Sequence, residues 1–501
     1  MTTQSVTEHK IVHQTQTFKN WLIENNWKLI SIIFIYQMAI LSIGIVNFPY
    51  IDDVSRQIHG DTSFAWSYSR WGSELASWAV QGSRHLTDMG LTTHILTGLI
   101  LATSSILAVY ILNNKKMDWV PLISSSLIGL NPWFLECISF RFDSPYMALS
   151  ILFSIFPFLW WKGNKKYFFF LSVIGVFLMC NTYQASSGVY IVMALALFYR
   201  DTLTNVPFGQ LFKKLFLAGV AFVIAMGAYA IEMKFNPALA ERGGIFSTSN
   251  IIDLPVTFVK NIYIYGSTIY HQSASIWILF YLIFIILFTV SSIVRSETSI
   301  LKSFTFALLY LGIAFIFSYG VFLIFTEPLA TARPRYMHGF GAFLGISLIL
   351  MTAKSKNKPI NFITKIMALL FMYYMLSFPF TYASMLSYQK DSFERQSTIL
   401  TTDLKNIVND DRKNVLVNAL FKDSPVVLNS QSNYPILGSL VPSNSAPYWP
   451  NFVLFNTYSN LNVNIEPFDF SDFKKTDKKL EITNAYYDIY TKGNKIFVFM
   501  K

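Results

Sequence analysis

Long apolar runs separated by short charged breaks dominate this chain. Residues 29–46 are nearly free of charge and about long enough to cross a hydrocarbon core of ~30 Å. Comparable runs recur at 92–112, 119–138, 146–161, 167–182, 186–200, 215–233, 275–294, 304–325, 337–353 and 360–384, which predicts eleven spans. Those at 146–161, 167–182 and 186–200 are short and leave room for a re-entrant hairpin. The pattern changes after Ser384. Residues 389–408 carry the spacing of an amphipathic helix. Short β-rich runs follow at Asn414-Val-Leu-Val-Asn-Ala, Pro425-Val-Val-Leu, Asn451-Phe-Val-Leu-Phe and Lys495-Ile-Phe-Val-Phe, broken by Pro, Asn and Ser. Such a segment is too rich in aromatic and β-branched residues for disorder. The predicted organisation is a polar tail (1–28), a helical polytopic membrane body (29–384) and a small α/β domain (385–501).

The charged breaks orient the spans. Lys115-Lys116, Lys162 with Lys165-Lys166, and Lys354 with Lys356 and Lys358 gather in alternate breaks, the positive-inside signature. The tail is then cytoplasmic, and an odd number of spans puts the C-terminal domain outside. The run after the tail lacks a small-residue cleavage site, so it reads as a retained first helix. Composition agrees: 53% of the 501 residues are hydrophobic and 13% charged, about half the charged share of a soluble protein. Mean hydropathy is +0.41. The formal charge of +11 follows from topology and implies no nucleic acid. Cys137 and Cys180 stand in apolar surroundings without metal spacing.

Candidate chemistry gathers at the outer ends of the runs. Asp52 and Asp53 follow the first span directly, with Arg56 one helical turn on. Paired acids beside an arginine at a membrane surface suit a transferase that deprotonates one substrate and grips the phosphate of another. The rest of that outer segment (47–91) is aromatic, and residues 62–85 read as amphipathic helices lying at the interface. Glu136 sits at the apolar end of the third run, where an unpaired charge is costly. Arg141, five residues on, is its expected partner, with Asp143 completing either a site or a structural network. Tyr183 and Gln184 suit sugar hydroxyls or a capped helix turn. Arg333-Pro-Arg335 defies the positive-inside trend and suits a phosphate clamp. Tyr270-His271-Gln272 is the weakest cluster. No phosphate-binding glycine loop, zinc-protease helix motif or serine-nucleophile elbow occurs, and Asp52-Asp53 is not a spaced D-x-D. A lipid-borne donor is therefore favoured over a nucleotide-borne one.

In these places the chain resembles the serotype-converting O-antigen glucosyltransferases, phage-type polytopic enzymes of the GT-C class of lipid-phosphate-sugar transferases. The residues that carry the likeness are Tyr50-Ile-Asp52-Asp53 with Arg56 and Arg70; Asn131-Pro through Arg141-Phe-Asp143-Ser144; Tyr183-Gln184-Ala-Ser186; Arg333-Pro-Arg335 through Gly339-Phe-Gly; and Tyr434-Pro-Ile-Leu-Gly438 with Tyr448-Trp449. The first loop departs from the pattern, with Ser69-Arg70-Trp71-Gly72 in place of a Gly-Arg-Pro step and an enlarged stretch around Phe64 to Tyr68, which bears on acceptor preference. The resemblance implies a GT-C-like fold of about eleven transmembrane helices in the bacterial inner membrane. It also implies transfer of glucose from undecaprenyl-phosphate-glucose to a sugar of the O-antigen polysaccharide on the periplasmic face. A functional link to a sugar-lipid flippase and to the synthase of the donor lipid follows from that scheme. Asp52 or Asp53 would act as general base, and Arg56, Arg70, Arg333 and Arg335 would meet the donor phosphate. Glu136, Arg141, Asp143, Tyr183 and Gln184 would bind sugar or form a structural network. No cofactor is called for, although two adjacent acids leave room for Mg²⁺ held through few contacts. The rival readings are another GT-C transferase acting on lipid A or protein, a membrane O-acyltransferase, and a flippase or transporter. A transporter usually gathers polar groups at the midplane rather than at helix ends.

Overall fold

The computed structural model describes residues 3–204, 206–241, 247–355, 357–409, 413–471 and 473–501. The first two residues of the polar tail, residues 242–246 and Lys356 of a lysine run lie outside the described residues.

Tail and first run form one helix, α1 (Thr3–Val46). Three short helices fill the aromatic segment that follows: α2 (Asp53–His59), α3 (Phe64–Tyr68) and α4 (Trp71–Gln81). α5 (Thr92–Leu112) crosses back. The third run breaks into α6 (Trp119–Ser125), α7 (Leu127–Leu130) and α8 (Leu135–Ser139). Asn131 is extended there (φ −76°, ψ 153°), because Pro132 disfavours helical geometry in the residue before it. α9 (Ser144–Ile155) tightens into a 3₁₀ turn at Phe156–Trp160, and α10 (Lys165–Tyr183) is parted from α11 (Ser187–Thr202) by another at Gln184–Ser186. Then come α12 (Phe208–Lys234), α13 (Pro237–Glu241), α14 (Leu254–Gln272), α15 (Ser275–Arg295), α16 (Ile300–Phe317), α17 (His338–Thr352) and α18 (Lys358–Leu404).

Among the described residues, seven helical stretches are long and apolar enough to cross a membrane, with α10 and α11 counted as one stretch. Trp119–Leu130 and Ser144–Trp160 are shorter apolar helices. The eleven predicted runs thus resolve into full-length stretches and broken pieces, the breaks falling at prolines and polar residues. Close backbone approach holds the pieces together. A Cβ on Gly188 or on Gly339 would fall 1.9 Å from the Ser318 carbonyl oxygen, so the starts of α11 and α17 meet the end of α16 with no room for a side chain. Gly339→Ala should destabilise the protein by about 1–3 kcal/mol through overpacking. Gly312→Ala, a position with nothing within 4 Å of the added carbon, should not. Thermal unfolding in detergent compares the two.

α18 runs for 47 residues, about 70 Å, straight through the predicted boundary at 384. Beyond it lie α19 (Pro425–Gln431), α20 (Leu437–Leu440), α21 (Trp449–Ser459) and five strands: β1 (Asn414–Val417), β2 (Asn464–Pro467), β3 (Lys479–Thr483), β4 (Tyr487–Lys492) and β5 (Lys495–Met500). The sheet order is β2-β1-β5-β4-β3, with β1 parallel to both neighbours and the remaining pairs antiparallel. Two runs read as strands are helices instead. Each has a proline in its first turn, Pro425 in α19 and Pro450 in α21, where a fixed φ favours helix initiation.

This region is knitted to the membrane body. Ile436, Leu437 and Leu440 are buried in the core of the helical bundle, while Val54 of α2 packs into the core of the sheet domain with Phe393, Val415 and Phe455. The Tyr50 hydroxyl donates to the Leu440 carbonyl at 2.9 Å and the Tyr382 hydroxyl does so at 3.2 Å. Gln272 takes a hydrogen bond from the Trp133 indole at 3.0 Å and, at its carbonyl, one from the Ile436 N–H at 3.2 Å. The third residue of the weakest predicted cluster is therefore part of this join.

Candidate functional site

The acid pair stands on a tight reversal. Asn47 and Ile51 both adopt positive φ (51° and 47°), turning the chain out of α1 and into α2. Asp52 sits at the N-cap of α2 but makes no side-chain capping bond, so its carboxylate is free to face other groups. One turn on, an Arg56 guanidinium nitrogen lies 4.0 Å from an Asp52 carboxylate oxygen. Arg56 is itself buried, hydrogen-bonded to Asp143, and 4.6 Å above the Phe64 ring.

The two acids differ in access. The Asp52 side chain is 29% exposed, whereas Asp53 is fully buried. Asp53 Oδ2 accepts the Arg141 backbone N–H at 3.0 Å, and its Oδ1 has no hydrogen-bond partner. Burial pushes the Asp53 carboxyl up to about 7; the Arg141 N–H and the Arg56 charge pull it down, and Asp52 pushes it up. A raised folded value means the folded state holds the proton more tightly than the unfolded chain. Stability therefore falls as pH rises from the ordinary 3.8 through about 7. Asp53→Asn, which removes the buried charge, should raise the melting temperature over wild type at pH 8, and the gain should shrink toward pH 5. A gain independent of pH would mean that Asp53 does not ionise with this penalty.

Arg141 does not meet Glu136 as expected. Its Nε donates to Asp88 Oδ1 at 2.6 Å and its Nη1 to Asn47. Phe140 is extended (φ −73°, ψ 102°) and ends α8, so Arg141 leaves the helix that carries Glu136. The partner of Glu136 is Arg335, which donates its N–H to Oε2 at 2.9 Å and holds its Nε 3.9 Å from Oε1. Glu136 is fully buried, and the Arg335 guanidinium lies 4.7 Å over the Phe140 ring. Asp88 and Asn47 escaped the sequence reading, since nothing in a short polar loop marks a residue as a distant arginine's partner.

The other arginines are differently placed. Arg70 donates to Gln184 Oε1 at 3.2 Å and lies 4.9 and 4.8 Å from the ring centres of Tyr68 and Tyr183. Gln184 passes a hydrogen bond to the Tyr229 hydroxyl, and Tyr183 stacks on His338. Arg333 is extended (φ −153°, ψ 139°) and partly exposed. Burial raises the Tyr448 phenol, Arg333 pulls it down and Asp52 pushes it up, so one tyrosine of the sheet domain lies within electrostatic reach of both. Among the described residues neither Arg70 nor Arg333 has a carboxylate partner, whereas Arg56, Arg141 and Arg335 do. Among the described residues no three His, Cys, Asp or Glu side chains gather as a metal site.

The structure thus brings Asp52, Asp53, Arg56, Arg141 and Asp143 into one assembly, Arg70, Tyr183 and Gln184 into a second, and Glu136 with Arg335 into a third. All lie at the end of the bundle where α1 stops and α5 starts.

Among curated proteins none matches the chain. A family model described as Glucosyl transferase GtrII matches residues 41–346, more than half of the 501 residues. That range contains every residue of the three assemblies and ends before the sheet domain. The chain belongs to the GtrII glucosyl transferase family.

Proposed function

We propose that the protein transfers glucose from undecaprenyl-phosphate-glucose to a sugar of the O-antigen repeat, on the periplasmic face of the bacterial inner membrane. The observation that carries this reading is the partly exposed Asp52 carboxylate, set at the start of α2 beside Arg56, with Tyr448 within electrostatic reach of both it and Arg333. In this scheme Asp52 takes the proton of the acceptor hydroxyl as its oxygen attacks the anomeric carbon. The bond from that carbon to the phosphate oxygen breaks, and the lipid phosphate leaves with the electron pair. Direct displacement inverts the anomeric centre. A phosphate leaves without a general acid, unlike the alcohol of a glycoside.

The four candidate arginines then take different tasks. Arg70 and Arg333, which have no carboxylate partner among the described residues, are assigned to the donor phosphate. Arg56 and Arg335 are held by Asp143 and Glu136 and position the loops that carry the acids and Arg333. Asp53 fixes the Arg141 backbone. Tyr183 and Gln184 orient Arg70.

The test is transfer of labelled glucose from purified polyprenyl-phosphate-glucose to O-antigen in detergent. Arg333→Ala should lower kcat/KM for the donor about tenfold or more, the effect of losing one charge-assisted hydrogen bond. Arg333→Lys should recover part of it, since a point charge does not reproduce a guanidinium fork. No transfer by the wild-type protein, with sugar-lipid translocation in liposomes instead, would replace this reading with a transporter.

A further inference from the structure

A cavity lined by cations lies at the opposite end of the bundle and plays no part in the scheme above. It occupies about 240 Å³ between the end of α5, the turn after α9 and the end of α11. α5 begins beside the acid assembly and ends here, so the two places are separated by about 30 Å of helix. Lys115, Lys162 and Arg200 line it, and no acidic residue does. Apart from Asn114, the rest of its lining is apolar or aromatic, including Tyr110, Phe158 and Trp161.

The cations are poorly compensated. Arg200 is committed: it holds Asp201 Oδ1 through two nitrogens, at 2.8 and 2.6 Å, and donates to the Ile111 and Leu112 carbonyls at the end of α5. Asp201 also accepts the Trp161 indole N–H at 3.0 Å, so this acid is spent on structure. Lys162 has a neutral partner, Asn114 Oδ1 at 2.6 Å, and Lys115 lies over the Tyr110 ring at 6.0 Å. Lys214 comes from α12 to 5.6 Å from the Trp161 ring. Partial burial, Arg200 and Lys214 together push the Lys162 ammonium down, against Asp201. Three cations around one space, with its nearest acid engaged by Arg200 and Trp161, give the cavity a net positive field that favours an anion.

We propose that this cavity holds the phosphate of an anionic membrane lipid. Its place at helix ends puts it at headgroup depth, and basic pockets between membrane helices suit such headgroups. Leu159, at 38% exposure on the cavity wall, offers apolar surface to the first carbons of a chain. The shared chemistry is a lipid phosphate, whether of a phospholipid or of a polyprenyl carrier.

Native mass spectrometry of the delipidated full chain in detergent tests this with four probes: phosphatidylglycerol, phosphatidylethanolamine, polyprenyl phosphate and inorganic phosphate. The variant is Lys115→Gln with Lys162→Gln, two exposed side chains with no ion pair among the described residues, Lys162 giving up only its bond to Asn114. Arg200 is left alone because it caps α5. Wild type should keep one phosphatidylglycerol that the double variant binds about tenfold more weakly or worse. Phosphatidylethanolamine adducts should not change between the two. Lys115→Arg with Lys162→Arg should retain the lipid, which separates lost charge from lost fold. Displacement by equimolar polyprenyl phosphate would assign the site to the carrier lipid, and resistance to it would assign the site to phospholipid. Equal phosphatidylglycerol retention in wild type and the Gln variant overturns the proposal. So does binding of inorganic phosphate with no lipid retained.

Discussion

Asp52→Asn should lower kcat for glucosyl transfer by about 10²–10⁴, the range expected when a general base is lost. The substitution is close to isosteric, and Asp52 caps no helix through its side chain, so insertion and melting temperature should stay near wild type. Its ion pair with Arg56, at 4.0 Å and partly exposed, is worth about 1 kcal/mol or less. Arg56 keeps Asp143 in any case. Asp53→Asn should cost less than about tenfold in kcat, because an asparagine oxygen still accepts the Arg141 N–H. Full activity in Asp52→Asn with loss in Asp53→Asn would reverse the assignment. The buried acid, with its carboxyl at about 7, would then be the base, and the site would have to open around it.

How much of this was legible in the chain depends on distance along it. Asp52 and Arg56 are four residues apart, and that spacing alone puts both on one side of a helical turn, as in α2. The amphipathic helices of the aromatic segment were likewise local and fall at α3 and α4. The asymmetry within the acid pair was not legible. It arises because the loop after α8 packs over Asp53, and no property of two adjacent aspartates announces which will be covered. The apolar setting of Glu136 calls for a partner and Arg141 stands five residues on, whereas the actual partner, Arg335, is 199 residues away. The runs at Pro425 and Asn451 failed for another reason. Four or five apolar residues in a row have no period, so strand and helix are indistinguishable until the proline at the first turn is weighed.

Glu136→Leu should destabilise the protein by roughly 3–5 kcal/mol, because it strips the partner from an arginine that packs against Phe140 at the edge of the core. The second substitution carries the argument. If Arg335 serves Glu136 rather than substrate, then Glu136→Leu with Arg335→Met should regain part of that loss, since neither charge is left without its counterpart while the backbone N–H of residue 335 still lacks its acceptor. Activity in the double variant should follow the recovered fold, within about tenfold of wild type, because the chain still passes from Arg333 through Pro334 into α17. Thermal melting and donor kcat/KM on the four members of the cycle separate the possibilities. A double variant that is stable but inactive by 10² or more would return Arg335 to the phosphate site. Glu136 would then be the carboxylate that aims it, and the buried pair would be part of the transfer chemistry instead of the frame around it.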